Sequence, residues 1–221
     1  VSKPVVTLPT SSNTLGAASK LANGSIVLYA YKVTADASGG DVLLYRNTFV
    51  VATSGSGMTV TNLRLDDEDG NTIGAASTPT DCGSDGAYEY YDTFTFNSPD
   101  VSNGDDKEAI KITAGSSKTF KLYGTIAGAA TGENFTTFLV GDLATTSEDV
   151  NTDNKADGFW TAPTDDFTTE RGNFIWSDNY KNKSITGTGG NNATDTAQWY
   201  NGHLVSGLGN VVSTTAYTIG Y

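Results

Sequence analysis

The chain is poor in the residues that most catalysis and most helices use. Its 221 residues include one cysteine, one histidine, one methionine and one glutamine. Cys82 by itself excludes an internal disulfide. In the run Pro79-Thr80-Asp81-Cys82-Gly83-Ser84-Asp85-Gly86 no basic or histidine neighbour stands beside it to activate it, so it reads as an inert thiol, with intermolecular pairing as the alternative. Positive charge is scarce too. Thirteen Lys and Arg, three of them Arg, face 25 Asp and Glu, for a net charge of -12. Such a surface repels phosphate backbones and argues against a nucleic-acid partner. No apolar run approaches the roughly 18 to 20 residues that a membrane-spanning helix needs. Charged residues are only 17% and aromatics 10%, which is too apolar a mixture for a disordered acidic tail, so a folded core is expected.

What is abundant points to strands and turns. Glycine (25), threonine (33), tyrosine (11) and phenylalanine (9) dominate, while helix-favouring residues are few. Residues 25–35 are apolar in both phases, with Ile26, Leu28 and Ala30 against Val27, Tyr29, Tyr31 and Val33, which predicts a central strand. Gly39-Gly40 then suggests a hairpin into residues 41–53, where Val42, Leu44, Phe49 and Val51 stand out. Residues 58–65 alternate before the acidic turn Asp66-Asp67-Glu68-Asp69-Gly70-Asn71, whose Asp-Gly is hairpin chemistry. Further strands are predicted over 88–97, 109–113, 118–127, 134–140, 199–205 and 211–221, with Phe120, Leu122, Gly124 and Ile126 sharing a face. Loops are predicted over 76–86 and 98–106, and beyond Gly141 regularity weakens for about thirty residues. About ten short strands with turns at this spacing predict an all-β antiparallel sandwich, Ig-like or jelly-roll-like, with a loop-rich, decorated second half.

Residues 1–10 read separately. Val1, Pro4, Val5, Val6 and Leu8 make a short apolar strand interrupted by proline, and the small, polar residues 11–19 read as a linker. The expected organisation is a detached N-terminal arm over 1–19 and one sandwich domain over 20–221. An apolar strand standing free in water is unfavourable, and a sandwich with an open edge invites an added one. Donation of the arm to the next subunit, with Val1, Pro4, Val5, Val6 and Leu8 as interface, satisfies both and gives a head-to-tail homopolymer. The alternative is that residues 4–8 fold onto their own domain as an edge strand.

Chemistry has few candidates. Asp149, Asn151, Asp153 and Asp157 place oxygen side chains at alternating positions, a spacing that wraps short carboxylates around Ca2+. The pattern is similar to the calcium loops of dockerins and thrombospondin-type repeats, but Asn154 stands where an EF-hand has glycine, and Trp160 where it has glutamate. A solvated Asp/Asn turn is the alternative, and hairpin chemistry accounts for Asp66, Asp67 and Asp69. His203 is the sole histidine, so any Ser-His-Asp triad must use it, and Gly-x-Ser-x-Gly does not occur. The chain is therefore expected not to be an enzyme. Trp160, Trp176 and Trp199 could form a sugar-stacking platform or fill the core. Asn23, Asn134, Asn182 and Asn192 fit the glycosylation sequon.

Two pairs of segments carry a resemblance. Residues 112–122 (Ile-Thr-Ala-Gly-Ser-Ser-Lys-Thr-Phe-Lys-Leu) with 132–142 (Gly-Glu-Asn-Phe-Thr-Thr-Phe-Leu-Val-Gly-Asp) form the first. Residues 172–179 (Gly-Asn-Phe-Ile-Trp-Ser-Asp-Asn) with 196–205 (Thr-Ala-Gln-Trp-Tyr-Asn-Gly-His-Leu-Val) form the second. They resemble stretches of large secreted β-sandwich surface proteins of candidate-phyla bacteria, which are similar to S-layer, adhesin or pilus components. The resemblance implies an extracellular or cell-surface location, and its motifs carry no catalytic residues to transfer. The start at Val1, without methionine, agrees with a mature product whose signal peptide has been removed. The expected function is thus the structural subunit of an extracellular filament or lattice, with Ca2+ as its only expected cofactor. A carbohydrate-binding or adhesive module, taking surface glycans, is the alternative.

Overall fold

The structure, a computed structural model, describes residues 3–10, 15–54, 57–81, 90–96, 110–143, 172–181, 197–208 and 216–221. Among these the regular structure is all strand: β1 (Val5–Thr7), β2 (Gly24–Thr34), β3 (Val42–Thr53), β4 (Thr59–Asp66), β5 (Thr72–Ser77), β6 (Thr80–Asp81), β7 (Tyr90–Thr95), β8 (Ile110–Ile112), β9 (Ser117–Ala127), β10 (Asn134–Leu139), β11 (Phe174–Lys181), β12 (Ala197–Asn201) and β13 (Tyr217–Gly220). They form two antiparallel sheets, the all-β sandwich expected. Sheet 1 has the order β1-β2-β9-β4-β5. Sheet 2 is organised on β3, with β12-β11 and β10-β13 on its main path and β7, β6 and β8 beside it.

Length makes β3 the spine. Residues 43–47 pair with β11 and 49–53 with β10, while 42–44 pair with β8 and 46–51 with β7. The overlapping registers place β11 and β10 end to end on one edge and β8 and β7 on the other. Four short strands thus borrow one long template, and a junction opens where β10 ends and β11 begins.

Two bulges explain the apolar phases. In β2 the register jumps between Val27 and Tyr29, so Leu28 as well as Tyr29, Tyr31 and Val33 joins the core. In β3, Trp176 pairs with Leu44 while Ile175 pairs with Arg46, leaving Tyr45 extra. Val42 and Leu44 before it and Phe49 and Val51 after it therefore all point inward. Leu43, Val50, Val140 and Ile175 are also buried, though outside that cluster, so sheet 2 is covered on both faces.

Between the sheets lies an aromatic layer. Tyr31 stacks on Phe120 at 5.0 Å, and Phe49 meets Tyr29, Tyr31 and Phe94 at 5.8 to 6.1 Å. Each fully buried ring contributes roughly 1.5 to 3 kcal/mol. The Tyr31 hydroxyl is not wasted, because the Asn47 amide donates to it, while burial pushes its ionisation well above the ordinary range.

Three expectations need correction. Residues 25–35 and 41–53 do not form a hairpin: β2 lies in sheet 1 and β3 in sheet 2, so the Gly39-Gly40 turn carries the chain across the sandwich. The linker does not stand clear. Ala17 is buried and Ala18 N-H donates to Val27 O at 2.8 Å; just beyond the linker Leu21, also buried, donates its N-H to Gly220 O at 2.7 Å. Nor is the arm detached, as described next. The Asp66–Asn71 hairpin does form: Asp67 accepts the N-H groups of Asp69 and Asn71, and Asp66 binds Arg64 at 2.8 Å.

Candidate assembly interface

The N-terminal segment lies in a slot on its own domain. β1 pairs antiparallel with β2, Val5 opposite Thr34 and Thr7 opposite Lys32. On its other side Val6 N-H donates to Ser206 O at 2.8 Å, and Val5 bridges Ser206 in parallel. Pro4 and Val6 are buried, Leu8 packs partly against the core, and Lys3 and Val5 face outward, Val5 44% exposed. Of the five residues expected at an interface, Pro4 and Val6 are thus inside and Val5 outside, while Val1 lies outside the described residues. The arm docks because the edge of β2 and the Ser206 carbonyl both need a partner, and the apolar Pro4/Val6 face needs cover.

The far wall of the slot is the turn 202–208. Gly207 has φ of +84°, and a Cβ there would lie 1.7 Å from Val6 O, so only glycine lets the arm approach. Turn hydrogen bonds run from Val205 N-H to Gly202 O and from Leu208 N-H to Val205 O, both 3.1 Å. Lys3 Nζ reaches His203 O at 3.4 Å across the slot.

The turn is held from below by Asp142, at the junction of β10 and β11. Its carboxylate accepts Asn173 N-H at 2.7 Å, Phe174 N-H at 3.0 Å and Gly202 N-H at 2.7 Å. The group is wholly buried. Burial pushes its pKa up to about 6, outweighing the three backbone donors and the Asn173 side chain, which favour the ionised form. Arg46 itself is lowered chiefly by burial, and its Nη1 donates to Gly172 O at 3.4 Å. Beside this node Trp176 Nε1 donates to Asn201 O at 3.0 Å, and its ring stacks on Tyr200 at 4.9 Å. Asn201 in turn binds Leu143 O and His203 N-H. Trp176, 1% exposed, is therefore a core residue, which removes it from any sugar-stacking platform. His203 is half-buried, and among the described residues its ring Nδ1 has no hydrogen-bond partner.

On the opposite edge of sheet 1 lies a second feature that sequence reasoning missed. Between β5 and β7 lies a cleft of about 560 Å³, whose apolar lining is Ile73, Phe94, Phe96 and Ile110 and whose polar lining is Thr72, Ser77, Asp92 and Thr93. Asp92 pairs with Phe49, so its side chain points into the seam between the sheets. The Ser77 hydroxyl donates to it, and burial raises its pKa in spite of that bond and one from Thr93 N-H. Gly74 exists for close approach: a Cβ would lie 2.3 Å from Phe94 Cδ1.

The other named residues are dispersed. Asn23 is exposed, but its Oδ1 accepts Ala129 N-H at 2.9 Å, and Asn134 sits within β10 opposite Gly220. Asn182 and Asn192, the calcium-loop residues Asp149, Asn151, Asp153 and Asp157, and also Trp160 and Cys82, lie outside the described residues, as does the Trp199 side chain. Among the described residues no three His, Cys, Asp or Glu side chains group as metal ligands. No described helix is long and apolar enough to cross a membrane. Comparison with protein-family models, curated proteins and solved structures found no match.

Proposed function

We propose that this chain is a structural subunit of an extracellular filament or surface lattice, which assembles head-to-tail by passing its N-terminal strand to a neighbouring subunit. The observation that carries the reading is how little holds β1 at home. Its ladder is three residues long, one hydrogen bond ties it to Ser206, and Val6 is its one fully buried strand residue. A buried valine contributes about 1.5 to 3 kcal/mol, which a second copy could match. The segments resembling secreted surface proteins support the same reading, as does a site chemistry of backbone hydrogen bonds and packing. On this reading the subunit catalyses no reaction, and Ca2+ bound by residues 149–157 stiffens it.

The test compares the full chain, the chain lacking residues 1–10, and a Cys82→Ser chain with Val5→Cys and Ser206→Cys, which staples the arm to its own slot. Each is examined by electron microscopy and light scattering, with calcium and with chelator. Filaments are expected from the full chain and from the reduced staple only. A monomeric full chain in every condition, or filaments from the oxidised staple, would overturn the proposal.

A further inference from the structure

We propose that the cleft between β5 and β7 is the acceptor for the N-terminal segment of a second copy, which adds as a strand to the open edge of β5 with Lys3 directed at Asp92. This inference rests on the assembly reading above and names the groove which that reading leaves open.

Four observations converge on it. First, β5 ends sheet 1, and among the described residues its one ladder partner is β4. Its sequence, Thr-Ile-Gly-Ala-Ala-Ser, carries no charge and no proline, the devices that normally keep an edge strand from pairing with another chain. Second, the cleft is apolar where a strand's inward side chains would enter, at Ile73, Phe94, Phe96 and Ile110. Third, Asp92 stands in that apolar lining with the Ser77 hydroxyl and the Thr93 N-H as donors, and no cation pairs with it among the described residues. A half-buried carboxylate in such surroundings gains most from an ammonium group delivered with apolar flanks.

The fourth observation is the donor. Val1, Lys3 and Val5 share one phase of the sequence, and Lys3 and Val5 face outward from the docked β1. Same-face residues two apart on a strand are spaced about 6.6 to 6.8 Å, so a valine, a lysine and a valine would present apolar, cationic and apolar groups in line. The cleft offers the complement. Each copy carries a charge of -12, so a junction that places a cation against a carboxylate also relieves the repulsion between subunits.

Topology supplies the direction. β1 occupies one edge of sheet 1 and β5 the other, across the order β1-β2-β9-β4-β5. The arm leaves one edge of its own sheet 1 and enters the opposite edge of the next copy's, a heterologous contact that need not close, so the copies would link into an open filament. Strand addition of this kind draws affinity from main-chain hydrogen bonds and specificity from alternate side chains.

The experiment titrates a labelled peptide of residues 1–10 into the full-length chain and reads fluorescence anisotropy. Saturable binding is expected, lost in Ala75→Lys, which puts a charge on the exposed edge of β5 without touching the core. Asp92→Asn in the protein, or Lys3→Ala in the peptide, should each weaken binding about ten- to a hundredfold, the range for losing a hydrogen bond to a charged group. The two losses should not add, because they break one contact. Binding indifferent to both Ala75→Lys and Asp92→Asn would place the acceptor elsewhere and overturn this inference while leaving the assembly reading standing. Arm-dependent filaments without peptide binding would have the same meaning. No binding together with a monomeric chain would overturn both.

Discussion

Replacing Asp142 by asparagine should remove a specific component of the pH dependence of stability. In the native fold the carboxyl is buried among three backbone N-H donors, and its pKa lies near 6, whereas in the unfolded chain it returns to about 3.8. A folded-state value above the unfolded one means that the native state binds the proton more tightly. The stabilisation is therefore complete below about pH 3.8 and lost as pH rises through 6. A difference of about two units at 1.36 kcal/mol each corresponds to about 3 kcal/mol. Asp142→Asn also strands at least one of the three N-H groups against an amide NH2, which costs about 1 to 3 kcal/mol at every pH. The measurable quantity is thus the difference between wild type and variant in urea unfolding, taken at pH 7 and again at pH 4. Other carboxylates titrate alike in both proteins and cancel, Asp41 included, which the Lys111 hydrogen bond holds below the usual range. The wild type should gain about 2 kcal/mol of that on the variant between pH 7 and pH 4, because pH 4 still lies just above the unfolded value. A flat difference would refute the argument. A reversed sign would show that the hydrogen-bond donors, the three backbone N-H groups and the Asn173 side chain, and not burial, decide the charge of this group.

Other perturbations follow from the same geometry. Gly207→Ala should expel β1, since its Cβ would lie 1.7 Å from Val6 O; faster amide exchange at Val6 and faster proteolysis of residues 1–10 would report it, and unchanged protection would disprove the slot. Tyr31→Phe should cost about 1 to 3 kcal/mol in denaturant unfolding because the buried Asn47 amide loses its acceptor, and a cost below 0.5 kcal/mol would contradict that bond. Asp67→Ala should cost about 1 kcal/mol, because the N-H groups of Asp69 and Asn71 lose their common oxygen in the β4-β5 turn; an unchanged unfolding midpoint would count against it.

How much of this was legible depended on how local the signal is. β9 alternates without a break, and Phe120, Leu122 and Ile126 enter the core as their phase requires. The β4-β5 turn was readable because aspartate and glycine determine it within six residues. β11 was not readable: Phe174, Ile175, Trp176 and Ser177 are all buried, so no alternation marks a strand covered on both faces. The bulges at Leu28 and Tyr45 likewise merge two apolar phases into one core face, which a period of two cannot anticipate.

The amino-acid sequence by itself determined that the chain is all-β, where most strands run, which phase of the regular ones is apolar and where one hairpin turns. These are consequences of residue type at neighbouring positions. Which strands share a sheet, that β1 returns to β2 and Ser206, and that among the described residues β5 has β4 as its one ladder partner were decided only by the tertiary structure. Asp142 and Asp92 show why. Nothing in Val-Gly-Asp-Leu or in Tyr-Asp-Thr distinguishes them from the other acidic residues. Their burial and their partners come from segments far away in the chain, 31 and 60 residues for the donors to Asp142. A carboxylate acquires its chemistry from the water it loses and the groups it meets, and both are properties of the packed fold.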